Sequence, residues 1–273
     1  MGGFVLFITY RRLYHALIIK PKAIKKTYAN KPSVTVVFPS KDVNSTIEAC
    51  VRTARESRYH PHIIVSDGHS SDNTREIAEK MGAEVILTKK TDAYGKGAAM
   101  QAGLKAALRR NPDIILFLDS DTWNLTPEWI DHLIEPLISD EYDMTRGRYY
   151  RASNDGAVTQ LVAKPMLQAF FSEVSWVEQP LSGEVAAKKD VWKTLLRKNP
   201  PNGWGADVWF LVEAGMKNFR IKEVFLGTKE HISFLNHSDD LASLMKKGEQ
   251  VAFTIINEAL AYQRMENALT ADT

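Results

Sequence analysis

The 273-residue chain has one cysteine, Cys50, and no acidic residue before Asp42. It has no GxGxxG after its first apolar run, no GxxxxGK[ST] anywhere and no long uninterrupted hydrophobic stretch. A lone thiol cannot close an internal disulfide, so a disulfide-stapled secreted fold is excluded and a reducing, cytoplasmic compartment is expected. Nor can one thiol complete a Cys/His zinc cluster. Cys50 falls on a helical-looking stretch and reads as a small buried hydrophobe. Without the glycine motifs, a dinucleotide fold and a P-loop are both unsupported. The first uncharged run ends at Arg11, far short of the ~20 apolar residues a spanning helix needs. Its positive charge follows the apolar stretch, the reverse of a secretory signal.

What is present divides unevenly. Arg11, Arg12, Lys20, Lys22, Lys25, Lys26, Lys31 and Lys41 all precede the first acid. Removing those eight from the 35 bases leaves 27 against 33 acids, a mildly acidic remainder that argues against nucleic-acid binding. Leu6, Tyr10, Leu13 and Leu17 recur at helical spacing among the early bases. Residues 1–32 therefore read as a basic amphipathic arm and linker. Two roles fit it: docking on the main domain or a partner subunit, or peripheral contact with the cytoplasmic face of a membrane. Pro21 and Pro32 bracket its lysine-rich end.

From Ser33 the pattern alternates between strand and helix. The apolar runs 34–38, 62–65, 83–87 and 113–118 read as strands, and 46–55 and 97–109 as helices. The stretch SSDNTREIAEKMG has the form of a side-chain-capped helix closed by Gly82. Apolar strands separated by amphipathic helices predict an α/β fold with a mostly parallel sheet covered on both faces. Ligands of such sheets bind beyond the carboxyl ends of the strands. There the sequence places Pro39-Ser40-Lys41, Asp67-Gly68, Thr88-Lys89 and Asp119-Ser120-Asp121.

Two carboxylates in alternation after a buried strand are costly unless something positive meets them. Asp119 and Asp121 fit a pair of turn-capping aspartates, or a divalent cation held by carboxylate oxygen and shared with a diphosphate. Asp-Gly after the second strand, Lys96-Gly97 before the next helix and DSD after the fourth stand in an order that resembles the nucleotide-sugar half of a GT-A glycosyltransferase. Further on come RYYRASNDGAVTQLVAKPML, SEVSWVEQPLSGEVAAKKD, NGWGADVWFLVEAG and LGTKEHIS. These blocks resemble the retaining mannosylglycerate synthases and, less closely, the glucosyl-3-phosphoglycerate synthases, over roughly Val34 to Tyr262.

The resemblance implies a nucleotide-sugar half at 33–125 and an acceptor half with C-terminal helices at 126–273. It implies transfer of mannose or glucose from a GDP- or UDP-hexose to D-glycerate or a similar small hydroxy acid, with Mg²⁺ or Mn²⁺. Asp121 and His231 would be metal ligands with Asp119 assisting. Asp67 would meet the nucleoside; Pro39, Lys41, Ser120 and Glu184 would belong to the donor side, and Lys96 to the phosphates or sugar. Leu181 would touch donor sugar and acceptor, and Asp207 the reacting hydroxyl. Arg151 and Thr159 would bind the acceptor; a guanidinium fork suits a carboxylate. The phosphoglycerate enzymes carry an arginine two residues before the matching threonine, where this chain has Ala157; that departure favours free glycerate, with Arg146 or Arg148 as other sources of charge. The same resemblance implies a homo-oligomer, with the tail from Val251 to Tyr262 as a packing surface. Two other readings carry tests of their own: a lipid-phosphate transferase would partition with membranes, and a nucleotidyltransferase would release pyrophosphate.

Overall fold

The computed structural model describes residues 31–89, 95–151, 156–231 and 241–265. The basic arm, with its helical stripe, lies outside the described residues.

The elements run β1 (Val34–Ser40), α1 (Ile47–Glu56), β2 (His62–Asp67), α2 (Thr74–Lys80), β3 (Glu84–Leu87), α3 (Lys96–Arg109) and β4 (Ile114–Phe117). They continue with α4 (Pro127–Ile138), β5 (Met144–Tyr150), a π-helical turn (Thr159–Ala163) leading into α5 (Lys164–Phe170), and β6 (Val185–Lys188). The chain then forms α6 (Lys189–Leu196), α7 (Ala206–Met216), β7 (Ile221–Thr228) and α8 (Leu241–Ala261). All strands join one seven-stranded sheet of order β3-β2-β1-β4-β6-β5-β7. Both halves expected from the sequence share this sheet, so the boundary near residue 125 does not separate folding units.

Alternation along the strands builds the two cores. Val36, Phe38, Val65 and Leu116 face α1 and α4. Val37, Ile64, Ile115 and Phe117 face α3, α6 and α7. Helix α7 is buried on nearly every side, from Ala206 to Gly215. It is closed by α8, whose Val251, Ile255 and Ala259 pack with Val208, Leu211 and Val212. Part of the tail expected to face another subunit is thus consumed within the chain. Cys50 is fully buried, as expected, and burial pushes its thiol up to about 12.

The side-chain cap expected at the start of α2 comes from Asp72, and Gly82 closes the helix at φ 75. Asn73 precedes α2 without a side-chain capping bond, its backbone at φ −81 and ψ 18 instead of extended. Asp72 does the work instead, accepting the Thr74 N–H at 3.0 Å and the Asn44 N–H at 3.0 Å.

The strand directions decide where chemistry collects. β1, β2 and β4 are parallel, so their carboxyl ends share one edge. β6 is antiparallel to β4 and β5, which brings its amino end and the carboxyl end of β5 to that edge. β7 runs parallel to β5 and delivers Lys229 there as well. The order reverses between β1 and β4, the crevice where open α/β sheets bind ligands.

Among the described residues no helix is long and apolar enough to cross a membrane.

Candidate active site

A cavity of about 440 Å³ opens at this edge. Pro39, Lys41, Ser120 and Asp121 line it from the β1 and β4 ends, and Lys96, Asp119 and Asp207 form its floor. Ser120 fastens the two strand tips together: its hydroxyl donates to the Pro39 carbonyl at 3.0 Å, and its carbonyl accepts from Thr46 at 2.7 Å.

Beneath the cavity lies an alternating chain of buried charges. The Lys96 ammonium is 2.8 Å from Asp119 Oδ1 and 2.8 Å from Asp207 Oδ2. The Lys229 ammonium is 2.7 Å from Asp119 Oδ2 and 2.5 Å from Glu184 Oε1, whose other oxygen accepts from Ser182 Oγ at 3.0 Å. Burial would lower both lysines, but Asp119 with Asp207 outweighs it at Lys96, and Asp119 with Glu184 at Lys229, so both stay charged. Burial would raise Asp119, but its two ammonium neighbours hold it well below the usual carboxylate range. Asp207 goes the other way: burial and the charge of Asp119 raise it more than Lys96 lowers it. Its Oδ1 is buried with no hydrogen-bond partner.

Two close approaches make this arrangement. A Cβ on Gly97 would stand 2.1 Å from the Pro201 carbonyl, so the start of α3 lies directly on the loop that leads into α7. A Cβ on Gly183 would stand 2.1 Å from Asp119 Oδ1. Lys96 is therefore largely buried at 13% side-chain exposure, unlike an ordinary exposed lysine at a helix start.

Asp121 and His231 face each other, with Asp121 Oδ2 3.7 Å from His231 Nδ1, and Thr122 pairs with His231 in an isolated antiparallel bridge. One carboxylate and one imidazole suit a divalent ion whose remaining positions are filled by ligand oxygens. Among the described residues no three His, Cys, Asp or Glu side chains gather at one point. Asp119 does not complete such a set, because both of its oxygens are engaged by ammonium groups.

The facing wall is made by Arg151, Ala157, Thr159 and Leu181, with Trp204 from the loop before α7 and Leu244, Lys247 and Val251 from α8. The Arg151 guanidinium lies 4.9 Å from the Tyr149 ring centre and donates to the Tyr149 hydroxyl at 2.8 Å.

Several expected positions are not among the residues that line the cavity. Asp67 is fully buried behind the wall that Gly68 lines; its Oδ1 accepts the Ser70 N–H at 2.9 Å, and its Oδ2 has no partner. Glu184 is not in the cavity wall; it holds Lys229 from below. Arg146 is fully buried and donates to the carbonyls of Pro180 and Ser182 at 3.0 and 3.1 Å, bracing the turn that carries Leu181. Arg148 stands over Phe225 at 4.9 Å and pairs with Glu178 at 3.3 Å. Neither arginine lines the cavity. Sequence reasoning missed Lys229, although it sits two residues before His231, and it missed Lys247.

A model of glycosyl transferase family 2 matches residues 35–186, from β1 into β6. The chain belongs to glycosyl transferase family 2. Among curated relatives, glucosyl-3-phosphoglycerate synthase of Mycobacterium tuberculosis is 31% identical over 223 residues, 73% of this chain and 66% of that protein. The corresponding synthase of Mycolicibacterium paratuberculosis is 30% identical over 250 residues, covering 82% and 72%. Mannosylglycerate synthase of Rhodothermus marinus is 25% identical over 230 residues, covering 77% and 57%. This family 2 chain thus spans about two thirds of the length of the M. tuberculosis enzyme. A crystal structure of that enzyme with Mn²⁺, UDP-glucose and phosphoglyceric acid superposes with a TM-score of 0.71 at 28% identity, covering 87% of this chain and 86% of that one. Another, with Mg²⁺ and UDP, gives 0.70 at 29%.

The ranking of relatives drawn from the sequence is reversed by these identities, which favour the phosphoglycerate enzymes. Ala157 is one position in a cavity lining that also draws on a helix some 90 residues later in the chain.

Proposed function

We propose that the chain is a metal-dependent hexosyltransferase that moves glucose from UDP-glucose to the hydroxyl of 3-phosphoglycerate, with retention of configuration. The observation that carries this reading is the cavity itself. Asp121, His231, Arg151, Thr159 and Asp207 all line it, and Asp207 carries a buried oxygen with no hydrogen-bond partner. The relatives whose printed ligands are UDP-glucose and phosphoglyceric acid support the choice of substrates.

Asp121 and His231 would hold Mg²⁺ or Mn²⁺, which when bound neutralises charge developing on the departing diphosphate. Lys96 and Lys229 keep their protons throughout, and Lys96 reaches the cavity as a fixed positive charge beside the leaving group. Arg151 grips the acceptor carboxylate, with Thr159 bonding beside it. Leu181 closes the space between sugar and acceptor. Asp207 Oδ1 accepts a hydrogen bond from the attacking hydroxyl and orients it. Asp119 is pinned by two ammonium groups and makes a poor covalent nucleophile. Attack is therefore on the face from which the diphosphate leaves, with the leaving phosphate taking the acceptor's proton.

The test is a panel of UDP- and GDP-hexoses against 3-phosphoglycerate and D-glycerate with Mn²⁺ or Mg²⁺, with products identified by NMR. Glucosyl transfer to the 3-phosphoglycerate hydroxyl with an α linkage is expected. Turnover of D-glycerate alone would restore the mannosylglycerate-type acceptor that Ala157 suggests. Release of pyrophosphate instead of a nucleoside diphosphate would overturn glycosyl transfer altogether.

A further inference from the structure

Tyr149 and Tyr150 end β5 pointing to opposite faces of the sheet. Tyr150 is 66% exposed and meets Phe225 edge-on, ring centres 5.1 Å apart. Tyr149 is 3% exposed and stacks on Trp129 of α4 at 6.3 Å.

The pairing of β5 with β7 breaks beside Tyr149. Arg148 stands opposite Phe225 but Tyr150 opposite Thr228, so β7 carries one extra residue there. Gly227 lies within that bulge at φ 85, a left-handed backbone that a side chain would strain. A Cβ on it would meet nothing within 4 Å, so conformation and not space calls for glycine. A bulge bends its strand and re-aims the side chains around it. Just past this one, the Lys229 N–H donates to the Tyr150 carbonyl at 2.9 Å, and the Lys229 ammonium comes to 5.1 Å from the Tyr149 ring centre. The Arg151 guanidinium stands 4.9 Å from the same ring centre and donates to the Tyr149 hydroxyl at 2.8 Å. One buried tyrosine thus lies against both a lysine of the buried charge chain and the arginine of the cavity wall. Burial pushes its phenol up, so it stays a neutral hydrogen-bond acceptor.

We infer that Tyr149 is a positioning residue of the acceptor site, aiming the Arg151 guanidinium at the acceptor's carboxylate. The ring face fixes where the guanidinium sits, and the hydroxyl takes one of its five N–H donors. The remaining donors keep the fork that a carboxylate needs. The inference deepens the proposed function and rests on its assignment of Arg151.

The aim of the guanidinium serves ground and transition states alike, so its loss should appear in KM and not in kcat. Tyr149→Phe keeps the ring and removes only the hydroxyl. With UDP-glucose and Mn²⁺ it should raise the KM for 3-phosphoglycerate about fivefold, leaving kcat and the UDP-glucose KM within about twofold. D-Glycerate carries the same carboxylate, so its KM should rise equally. In an Arg151→Met background the substitution should change acceptor KM by less than about twofold, because Tyr149 acts through the guanidinium. Calorimetric binding of the acceptor in the presence of UDP and Mn²⁺ should show the same pattern without turnover. An acceptor KM unchanged in Tyr149→Phe overturns the assignment alone, as does an equal rise with and without Arg151. A fall in kcat with acceptor KM unmoved overturns it too. A chain that uses D-glycerate alone would overturn the proposed acceptor, and the assignment would still be decided on D-glycerate. Failure of the unmodified chain to bind either acid overturns both together.

Discussion

Among the described residues, two clusters of acids, one at the strand edge and one partly buried under α8, are satisfied in opposite ways. At the strand edge, Asp119, Asp207 and Glu184 are interleaved with Lys96 and Lys229, each link 2.5 to 2.8 Å long. Under α8, Glu213 and Glu258 meet neutral donors: the Tyr262 hydroxyl at 2.7 Å from Glu213, and the Trp209 indole N–H at 2.8 Å from Glu258. Two ammonium partners hold Asp119 in the charged state, although Asp207, with one, is raised. Neutral donors do not offset the repulsion between two acids, and there the proton is retained: burial and the charge of Glu213 push Glu258 up to about 7. The first cluster provides fixed charge beside a cavity. The second holds a carboxyl raised to about 7 beneath a helix.

The sharpest way to break the contrast is to remove a cation from the first cluster. Lys96→Met leaves Asp119 and Asp207 without their shared ammonium. Unfolding free energy should fall by about 3 kcal/mol, and transfer should slow about a thousandfold. Denaturant titration and single-turnover rates separate the two effects. A variant of near-normal rate would show that Lys96 only balances charge. Next in size is Gly183→Ala, which drives a methyl group to within 2.1 Å of where Asp119 Oδ1 now lies. Asp119 must then turn away from its lysines, at a cost of about 1–3 kcal/mol and with a loss of rate. Unchanged stability and rate would show that the turn shifts freely.

The two clusters also differ in how legible they are in the sequence. The first could be read in large part, because its aspartates follow an apolar strand and parallel topology sends strand ends to one edge. Asp119, Asp121, Lys96 and Asp207 were found that way or through the motif blocks that carry them. The partners were not. Glu184 was assigned to the donor, yet it serves Lys229, a pairing created by the antiparallel insertion of β6 that no local pattern announces. Lys247 and the second cluster depend on where α8 returns over α7. Leu244, Val251 and Ile255 announce an apolar helix face, but not which helix or cavity that face will cover. The basic arm was the clearest feature of composition, yet its helical stripe lies outside the described residues.

The smallest expected effect tests the second cluster. A carboxyl raised from 4.5 to about 7 on folding keeps a proton that the unfolded chain has already released. Between those values the folded state binds more protons, so stability must fall as pH rises from about 4.5 through about 7 and then level off. Below 4.5 both states are protonated and the group contributes no slope. Glu258→Gln retains an oxygen for the Trp209 N–H but removes the titration. Thermal or denaturant unfolding should find the variant about 1–2 kcal/mol more stable than the parent at pH 8, with the two converging below pH 4.5. The difference between the two proteins is the relevant quantity, since other groups tilt both curves equally. A constant difference across the range would mean that Glu258 is ionised in the fold, with the Trp209 N–H and the nearby Lys198 charge enough to hold it so. The contrast between charge-locked and proton-holding acids would then disappear.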